Sequence, residues 1–585
     1  MMKAIFRYLC IFSIAGFLAN CSVIKNDFIH PKGPYLQNVS RNGITIIRES
    51  SKAYKGSLEY GKTEVLGQII YDQSKVNFHK FDLTGLDIEC KYYYRITNDE
   101  NISSPIYTFH TAIKKDTPFS FIAYGDNKNG PFNHEKIANL VLKERPNFVV
   151  HNGDLVDRGG ALKQWDRLFF TPTRNLIREI PLFPVIGNHE DNHLNYYKFF
   201  TFPGPRQYYS FNYGNAHFII LDSMDEFMYA GSDQIKWLIN DLESNTATWT
   251  IVFQHHPLFT AGGGYFSHRR IELKNLEHPI FEKYGVDLVL SGDDHDYERT
   301  FPIVSKNGAK PITYIVCGNG GTPMRYVGKR EWTAYSERVF GFVKIEIDGD
   351  QLRLQSININ NKVIDEFTID KNDPQPLVAY NKSKIYFEDI KDPEKAAKYY
   401  REGKKAHKND NYEEAIKLLK QAFEYDNTCA EALGRMSDCY YEMGKYEEAI
   451  KYAKKSIEIL PVLPYGYKTM VKVKMVQKKY DEALEWAQKM NDISSDSPDA
   501  TQKMAEIYFE QKQYELAFST MQKAISILPN DAELYFDLGE MLEKTGNKEE
   551  AVGNYKKGLD WYMKPEEDDD FKKIAEKIKT WELKK

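Results

Sequence analysis

Apolar positions follow three different periods along this chain. From about residue 33 to 112 they fall in short alternating runs, as in "GPYLQNVSRNGITIIRESS" and "LDIECKYYYRITND". Period-two alternation of β-branched and aromatic residues between turns predicts strands, here a small β-sandwich. From about 116 to 371 the apolar runs are short and continuous: "FSFIAYGD", "NFVVHNGD", "LFPVIGN", "AHFIILDS", "TWTIVFQHH", "VDLVLSGD" and "ITYIVCGNGG". Amphipathic stretches separate them, which predicts a layered α/β domain. From about 393 to 565 the spacing becomes helical and itself repeats. In "NYEEAI", "KYEEAI", "KYDEAL", "QYELAF" and "NKEEAV", Ala415, Ala449, Ala483, Ala517 and Ala551 each fall 34 residues beyond the last. A small residue at that position lets two helices cross closely, and stacking buries faces that one unit cannot bury alone. Residues 372–392 read as a linker, and 566–585 as an acidic linker with a capping helix.

Composition supports several folded domains. At 585 residues the chain exceeds one hydrophobic core, and three to four domains are expected. Hydrophobic residues at 42% and aromatic residues at 14% exclude a disordered chain. The net charge of −5 is spread without a basic stripe, which argues against a nucleic-acid partner. The acidic run "EEDDD" at 566–570 reads as solvated linker.

The N-terminus reads as a targeting segment. Lys3 and Arg7 precede an apolar run from Tyr8 to Ala19, too short to span a bilayer. With "LANC" ending that run, residues 1–20 resemble a bacterial lipoprotein signal, which makes Cys21 the lipidated residue. The resemblance implies a membrane anchor and an envelope location, periplasmic or surface-exposed. The remaining cysteines, Cys90, Cys317, Cys429 and Cys439, are scattered and form no disulfide framework.

The chemistry gathers in the middle segment, where ten of the 14 histidines fall between His134 and His295. Five strand-end loops carry candidate ligands: "YGDNK" (Asp126), "NGDLVDRGG" (Asp154), "IGNHED" (Asn188, His189), "FQHHP" (His255, His256) and "SGDDHDYER" (Asp293, His295). Glycine before Asp or Asn permits a sharp turn that aims a short side chain inward. One such loop is an ordinary turn, whereas five in this order form a ligand set. Carboxylate and imidazole ligands suit iron, manganese and zinc.

These loops resemble those of the calcineurin-like metallophosphoesterases, and most of all the purple acid phosphatase branch, which also carries a β-sandwich ahead of its catalytic domain. The resemblance covers about residues 33–371. The 34-residue repeat resembles the tetratricopeptide family. Together they imply a multidomain chain: a fibronectin III-like sandwich at 33–112, a four-layer α/β/β/α domain at 116–371, and an all-α solenoid of five repeats. The implied activity is hydrolysis of phosphate esters, monoesters before diesters, at two metal ions. The implied partners are that ester and a protein or peptide on the solenoid.

By resemblance, the first metal takes Asp126, Asp154 and His295. The second takes Asp154, Asn188, His255 and Asp293. His189 is the candidate to bind the phosphate and protonate the leaving oxygen. His268 is the candidate substrate-binding residue in a neighbouring loop, His256 reads as a rim residue, and Arg299 as half of a structural ion pair. The "CGNGGTP" run at 317–323 reads as a tight loop beside the site.

Three positions depart from the family pattern. Asp157 stands where the purple enzymes place a tyrosinate ligand, and Lys128 where other branches place a histidine. Asp293 replaces the first histidine of "HxH", which favours harder ions such as Mn²⁺ or Mg²⁺ over Zn²⁺. A second functional reading follows: an envelope-anchored repeat scaffold that carries a degenerate phosphoesterase domain.

Overall fold

The computed structural model describes residues 32–582, except 205–206, 225–227, 264–267, 304–309, 373–391, 428, 462, 493–497, 528–530 and 562–568. The signal segment, Cys21 and nearly all of the 372–392 linker lie outside the described residues.

Two sheets face each other in the middle of the chain. One has eleven strands, including Phe119–Tyr124, Phe148–His151 and Leu182–Pro184 paired in parallel. The other has seven, including Ala216–Ile220, Trp249–Gln254, Leu288–Ser291 and Thr313–Cys317, also in parallel. These strands are buried on both faces, which explains their unbroken apolar runs. Their inner faces interdigitate through aromatic rings. Phe121 meets Phe218 at 5.2 Å and Phe253 at 6.1 Å across the gap. Helices cover both outer faces. Pro131–Glu144 and Thr171–Ile177 join the core outside the larger sheet. Asp233–Ser244 and His268–Tyr284 join the core outside the smaller one. This is the expected α/β/β/α order.

The N-terminal strands are present but are not a closed unit. Ile44–Gly61 pairs with Tyr35–Gln37, Gln68–Leu83 and Lys91–Thr97. Through Gln37 and Leu182 the ladder continues into the eleven-stranded sheet. Leu36, Ile46, Tyr94 and Phe109 share one apolar cluster with Phe121, Phe148 and Phe253. The β-sandwich expected at 33–112 thus has its strands joined to the larger sheet. Its edge strand finds hydrogen-bond partners in the next domain, which removes an exposed edge.

The C-terminal third holds five antiparallel helix pairs, from Pro393–Lys408 with Tyr412–Tyr425 to Ala532–Lys544 with Lys548–Trp561. Asp569–Glu582 follows as the capping helix. Asn411 starts its helix by accepting a hydrogen bond from the Glu414 amide, with Glu413 and Glu414 in the first turn. All five period-marking alanines are fully buried. A leucine there has no room. Ala449→Leu is expected to cost about 1–3 kcal/mol, read as a lower melting temperature of the full chain.

The solenoid packs on the catalytic domain. Ala415, Leu419, Leu433 and Met436 belong to the same buried cluster as Leu242, Phe281 and Trp332. Tyr326 donates to Glu431 at 3.0 Å. At the far end, Trp561 lies 5.0 Å from the Phe132 ring and under the Arg167 guanidinium at 3.8 Å. The array therefore touches the catalytic domain through its first repeats and through its last.

Candidate metal centre

All five loops leave the carboxyl ends of parallel strands, where α/β sheets present their ligands. Asp126, Asp154 and Asn188 follow strands of the larger sheet. His255, Asp293 and His295 follow strands of the smaller one. The site sits where these two edges meet.

Three of the carboxylates hold a left-handed backbone: Asp126 at φ 59°, Asp154 at φ 58° and Asp293 at φ 63°. The sharp turn is thus made by the acid itself in the loops of Asp126 and Asp293. Asp tolerates this conformation better than most residues, and such strain gathers at functional sites. The preceding glycines serve another purpose. A Cβ on Gly292 would lie 2.5 Å from Asp126 Oδ2, and one on Gly187 would lie 2.3 Å from Asp154 Oδ1. Only glycine lets these loops close on the carboxylates.

The second metal position has the geometry of a ligand set. His255 Nε2 lies 3.0 Å from Asn188 Oδ1 and 3.4 Å from Asp154 Oδ1. Adjacent ligands held ~2.1 Å from one ion stand about 3.0–3.4 Å apart, so the three converge as one coordination sphere would require. His255 Nδ1 lies 2.8 Å from the Asn152 carbonyl, so it donates there and leaves the Nε2 lone pair facing inward. Asp293 completes the surroundings. Burial alone would raise its carboxyl; the imidazoles of His256 and His255, with Arg325 and Lys128, outweigh that and hold it well below the usual range.

The first position also has aimed ligands. His295 Nδ1 donates to the Pro323 carbonyl at 2.9 Å, and its Nε2 lies 3.6 Å from Asp126 Oδ1. Both facing atoms are buried without a hydrogen-bond partner. Such orphaned donors are what a cation site leaves behind. Burial pushes the Asp126 carboxyl up to about 6 against the lowering influence of His255 and Lys128. Burial, Arg325 and Lys128 keep His295 neutral, as a metal ligand must be. Asp126, Asp154 and His255 bring one ligand atom each within 4.8 Å of one another.

A cation of the protein's own intrudes on the first position. The buried Lys128 side chain places Nζ against Asp154 Oδ2 and 3.9 Å from Asp126 Oδ1. Burial lowers its pKa, with Asp126 and Asp293 opposing. The residues thus fit a metal at the second position. At the first, an ammonium shares the carboxylates with any incoming ion.

Asp157 is not a ligand. Its Oδ1 accepts from Asn129 at 3.3 Å and lies 3.5 Å from His189 Nδ1. His189 Nδ1 donates to the Asp157 carbonyl at 2.7 Å. That bond orients the ring so that Nε2 faces Asp154 Oδ2, 4.0 Å away. With Asp157 in the tyrosinate position and no phenolate against either position among the described residues, iron-loaded protein is expected to show no purple charge-transfer band in its visible spectrum.

The other sequence candidates separate cleanly. Arg299 pairs with Asp365 through two bonds of 2.6 and 2.8 Å, as expected of a structural ion pair. His256 Nδ1 sits 2.9 Å from Ser223 Oγ, at the rim. His268 begins a helix, and its side chain lies outside the described residues. The 317–323 loop closes over the Asp126 loop, with Thr322 N–H donating to the Asp126 carbonyl at 2.9 Å. Burial, with Asp294 and Glu298 nearby, pushes the Asp296 carboxyl well up.

Sequence reading missed Glu190. Its buried carboxylate accepts from the amides of Gly187, Asp154 and Leu155 at 2.7, 2.9 and 2.8 Å. It clamps the loop of Asn188 to the loop of Asp154. Its place directly after "GNH" was the available signal. Asn152, which orients His255, carried none.

Comparison with known proteins agrees with this geometry. Residues 119–297 match the calcineurin-like phosphoesterase family. Residues 312–366 match the iron/zinc purple acid phosphatase-like protein C family. Tetratricopeptide repeat families match 406–461, 499–531 and 520–553. Acid phosphatase type 7 of Danio rerio is 26% identical over 352 residues, spanning 51% of this chain and 78% of that protein. A relative named "Probable inactive purple acid phosphatase 27", from Arabidopsis thaliana, is 24% identical, spanning 42% of this chain and 47% of that protein. The fold resembles a solved purple acid phosphatase from yellow lupin (Lupinus luteus) seeds, with a TM-score of 0.51 and 20% identity. That match covers 60% of this chain and 76% of the lupin chain. Residues 119–297 therefore form a calcineurin-like metallophosphoesterase domain, continued by a purple acid phosphatase-like C-terminal segment and then by tetratricopeptide repeats.

Proposed function

We propose that this chain hydrolyses phosphate monoesters at a metal centre in which Lys128 takes the place of one of the two expected cations. The reading is carried by the convergence of Asp154, Asn188 and His255 beside a buried ammonium. A divalent ion held by Asp154, Asn188, His255 and Asp293 would polarise the phosphoryl group and lower the pKa of water. Lys128 neutralises Asp154 from the opposite side and holds that carboxylate in place. The Asp157 carbonyl orients His189, whose Nε2 faces Asp154 and is placed to donate a proton to the leaving oxygen. Asp293 in the ligand set favours Mn²⁺ or Mg²⁺; a preference for iron or zinc remains an outcome of the assay. The test is hydrolysis of a chromogenic phosphate ester by protein reconstituted with Mn²⁺, Fe²⁺, Zn²⁺ or Mg²⁺. No binding and no turnover with any of the four would overturn the enzyme reading.

Two observations favour a second reading, a repeat scaffold with a degenerate phosphoesterase domain. Lys128 intrudes on the ligands, and several relatives bear the name of a probable inactive purple acid phosphatase. We infer the same location for either reading: lipid on Cys21 anchoring the chain in a bacterial envelope. Incorporation of labelled palmitate, lost in Cys21→Ser, tests that.

A further inference from the structure

Between the solenoid and the catalytic loops lies a pocket of about 410 Å³ that neither domain could form alone. From the catalytic side come Gly263, Met324, Arg325, Tyr326 and Arg338; from the repeats come Tyr400, Lys404, Arg435, Tyr465 and Lys468. Five of its lining residues are cations, and Asp499 is its one acid. Asp499 pairs with Lys468 at 3.0 Å. Arg435 is held by neutral partners, the hydroxyls of Tyr400 at 2.9 Å and Tyr465 at 3.2 Å. Its guanidinium also faces the Tyr465 ring at 5.0 Å. Neither Arg435 nor Lys404 has a carboxylate within ion-pair distance among the described residues. Burial lowers the pKa of Lys404, and Arg435 and Arg325 lower it further. Lys468 pairs with Asp499 and Arg325 with Asp294 at 3.7 Å, so the positive charge without a carboxylate in ion-pair distance is that of Arg435 and Lys404, and the tyrosine hydroxyls hold Arg435 in place.

The pocket borders the metal centre. Arg325 lines it, donates to the Asp293 carbonyl at 2.9 Å and hydrogen-bonds through its amide to the His295 carbonyl at 3.0 Å. Gly263 lines it too, and a Cβ there would stand 3.5 Å from Asp294 Oδ1.

We propose that this pocket binds a second anionic group, phosphate or carboxylate, on the substrate. The ligand class is a small phosphate ester with another negative charge at its far end. Arginine with aromatic neighbours suits such a group, because a planar donor fork held in place binds oxyanions at little entropic cost. The repeats then act as part of the substrate site. The link to substrate rests on the proposed phosphoesterase activity; the anion site itself does not.

The experiment separates the two. Inorganic tripolyphosphate is titrated calorimetrically into the full, metal-free chain. Wild type and Asp154→Ala are expected to bind alike, while Arg435→Gln and Lys404→Gln each weaken binding about tenfold, the loss of one charge-assisted contact. Lys404 is exposed, so its substitution keeps the test meaningful if Arg435→Gln does not fold. In the reconstituted enzyme, Lys404→Gln is expected to raise KM about tenfold for an alkyl bisphosphate and leave p-nitrophenyl phosphate kinetics unchanged. No binding by wild type, or binding by both pocket variants as tight as that of wild type, overturns the anion site. Equal KM effects on both substrates overturn its tie to the ester's far end. Binding without turnover of any ester retains the site and sinks the phosphoesterase reading alone.

Discussion

Asp154→Ala is expected to abolish metal binding at the second position and to lower phosphate-ester hydrolysis by at least about 10³-fold. Several kcal/mol of charge stabilisation are lost with the metal, and each 1.36 kcal/mol is a factor of ten. Asp154 has no substitute in the structure. One oxygen faces His255 Nε2 at 3.4 Å and accepts the His189 amide at 3.1 Å; the other meets Lys128. Alanine removes both contacts and strands a buried ammonium. It also tolerates φ 58° less well than aspartate. Asp154→Asn separates these effects, since it keeps the shape and removes the charge. Metal content per chain and initial rates are measured on all three proteins. Full turnover by the alanine variant would show that catalysis lies elsewhere.

Lys128→Met is expected to raise bound metal from about one ion per chain to about two, measured by elemental analysis after reconstitution. Methionine keeps the apolar stem and deletes the ammonium that shares Asp126 and Asp154. Without metal, two buried carboxylates then lose their counter-charge, which is expected to destabilise the chain by about 3–5 kcal/mol. Metal binds the folded state alone and restores that loss in a concentration-dependent way, so the melting temperature of the variant rises steeply with added Mn²⁺. Wild type binding two ions, with the variant unchanged, would refute the assignment of Lys128 to the first cation position.

The two readings of this protein turn on this lysine. The phosphoesterase reading rests on the convergence of Asn188, His255 and Asp154, with His189 oriented toward them. The scaffold reading rests on the ammonium of Lys128 placed against Asp154 and near Asp126. Asp293 is a smaller change. In the proposed site it exchanges a histidine for a carboxylate, which also suits a divalent cation.

Local pattern alone determined a good deal. The 34-residue spacing of Ala415 to Ala551 foretold five helix pairs, because each unit needs the same small residue at the same crossing. The strand-end loops foretold where the candidate ligands gather, because continuous apolar runs end at the carboxyl edges of parallel strands. Lys128 and Asp157 were visible as departures, but their consequences were not. A four-carbon stem reaches many places, and only the fold decided that Nζ meets Asp154 rather than solvent. Asp157 turned to His189 through a contact between residues 32 apart. The anion pocket needed more still. Tyr326 and Glu431, 105 residues apart, bring a repeat against a catalytic loop, and Arg435 and Arg325 come to line one space. Periodicity reports the neighbours within an element. It does not report how two separately periodic domains dock, because docking is set by side-chain packing between surfaces that share no repeat.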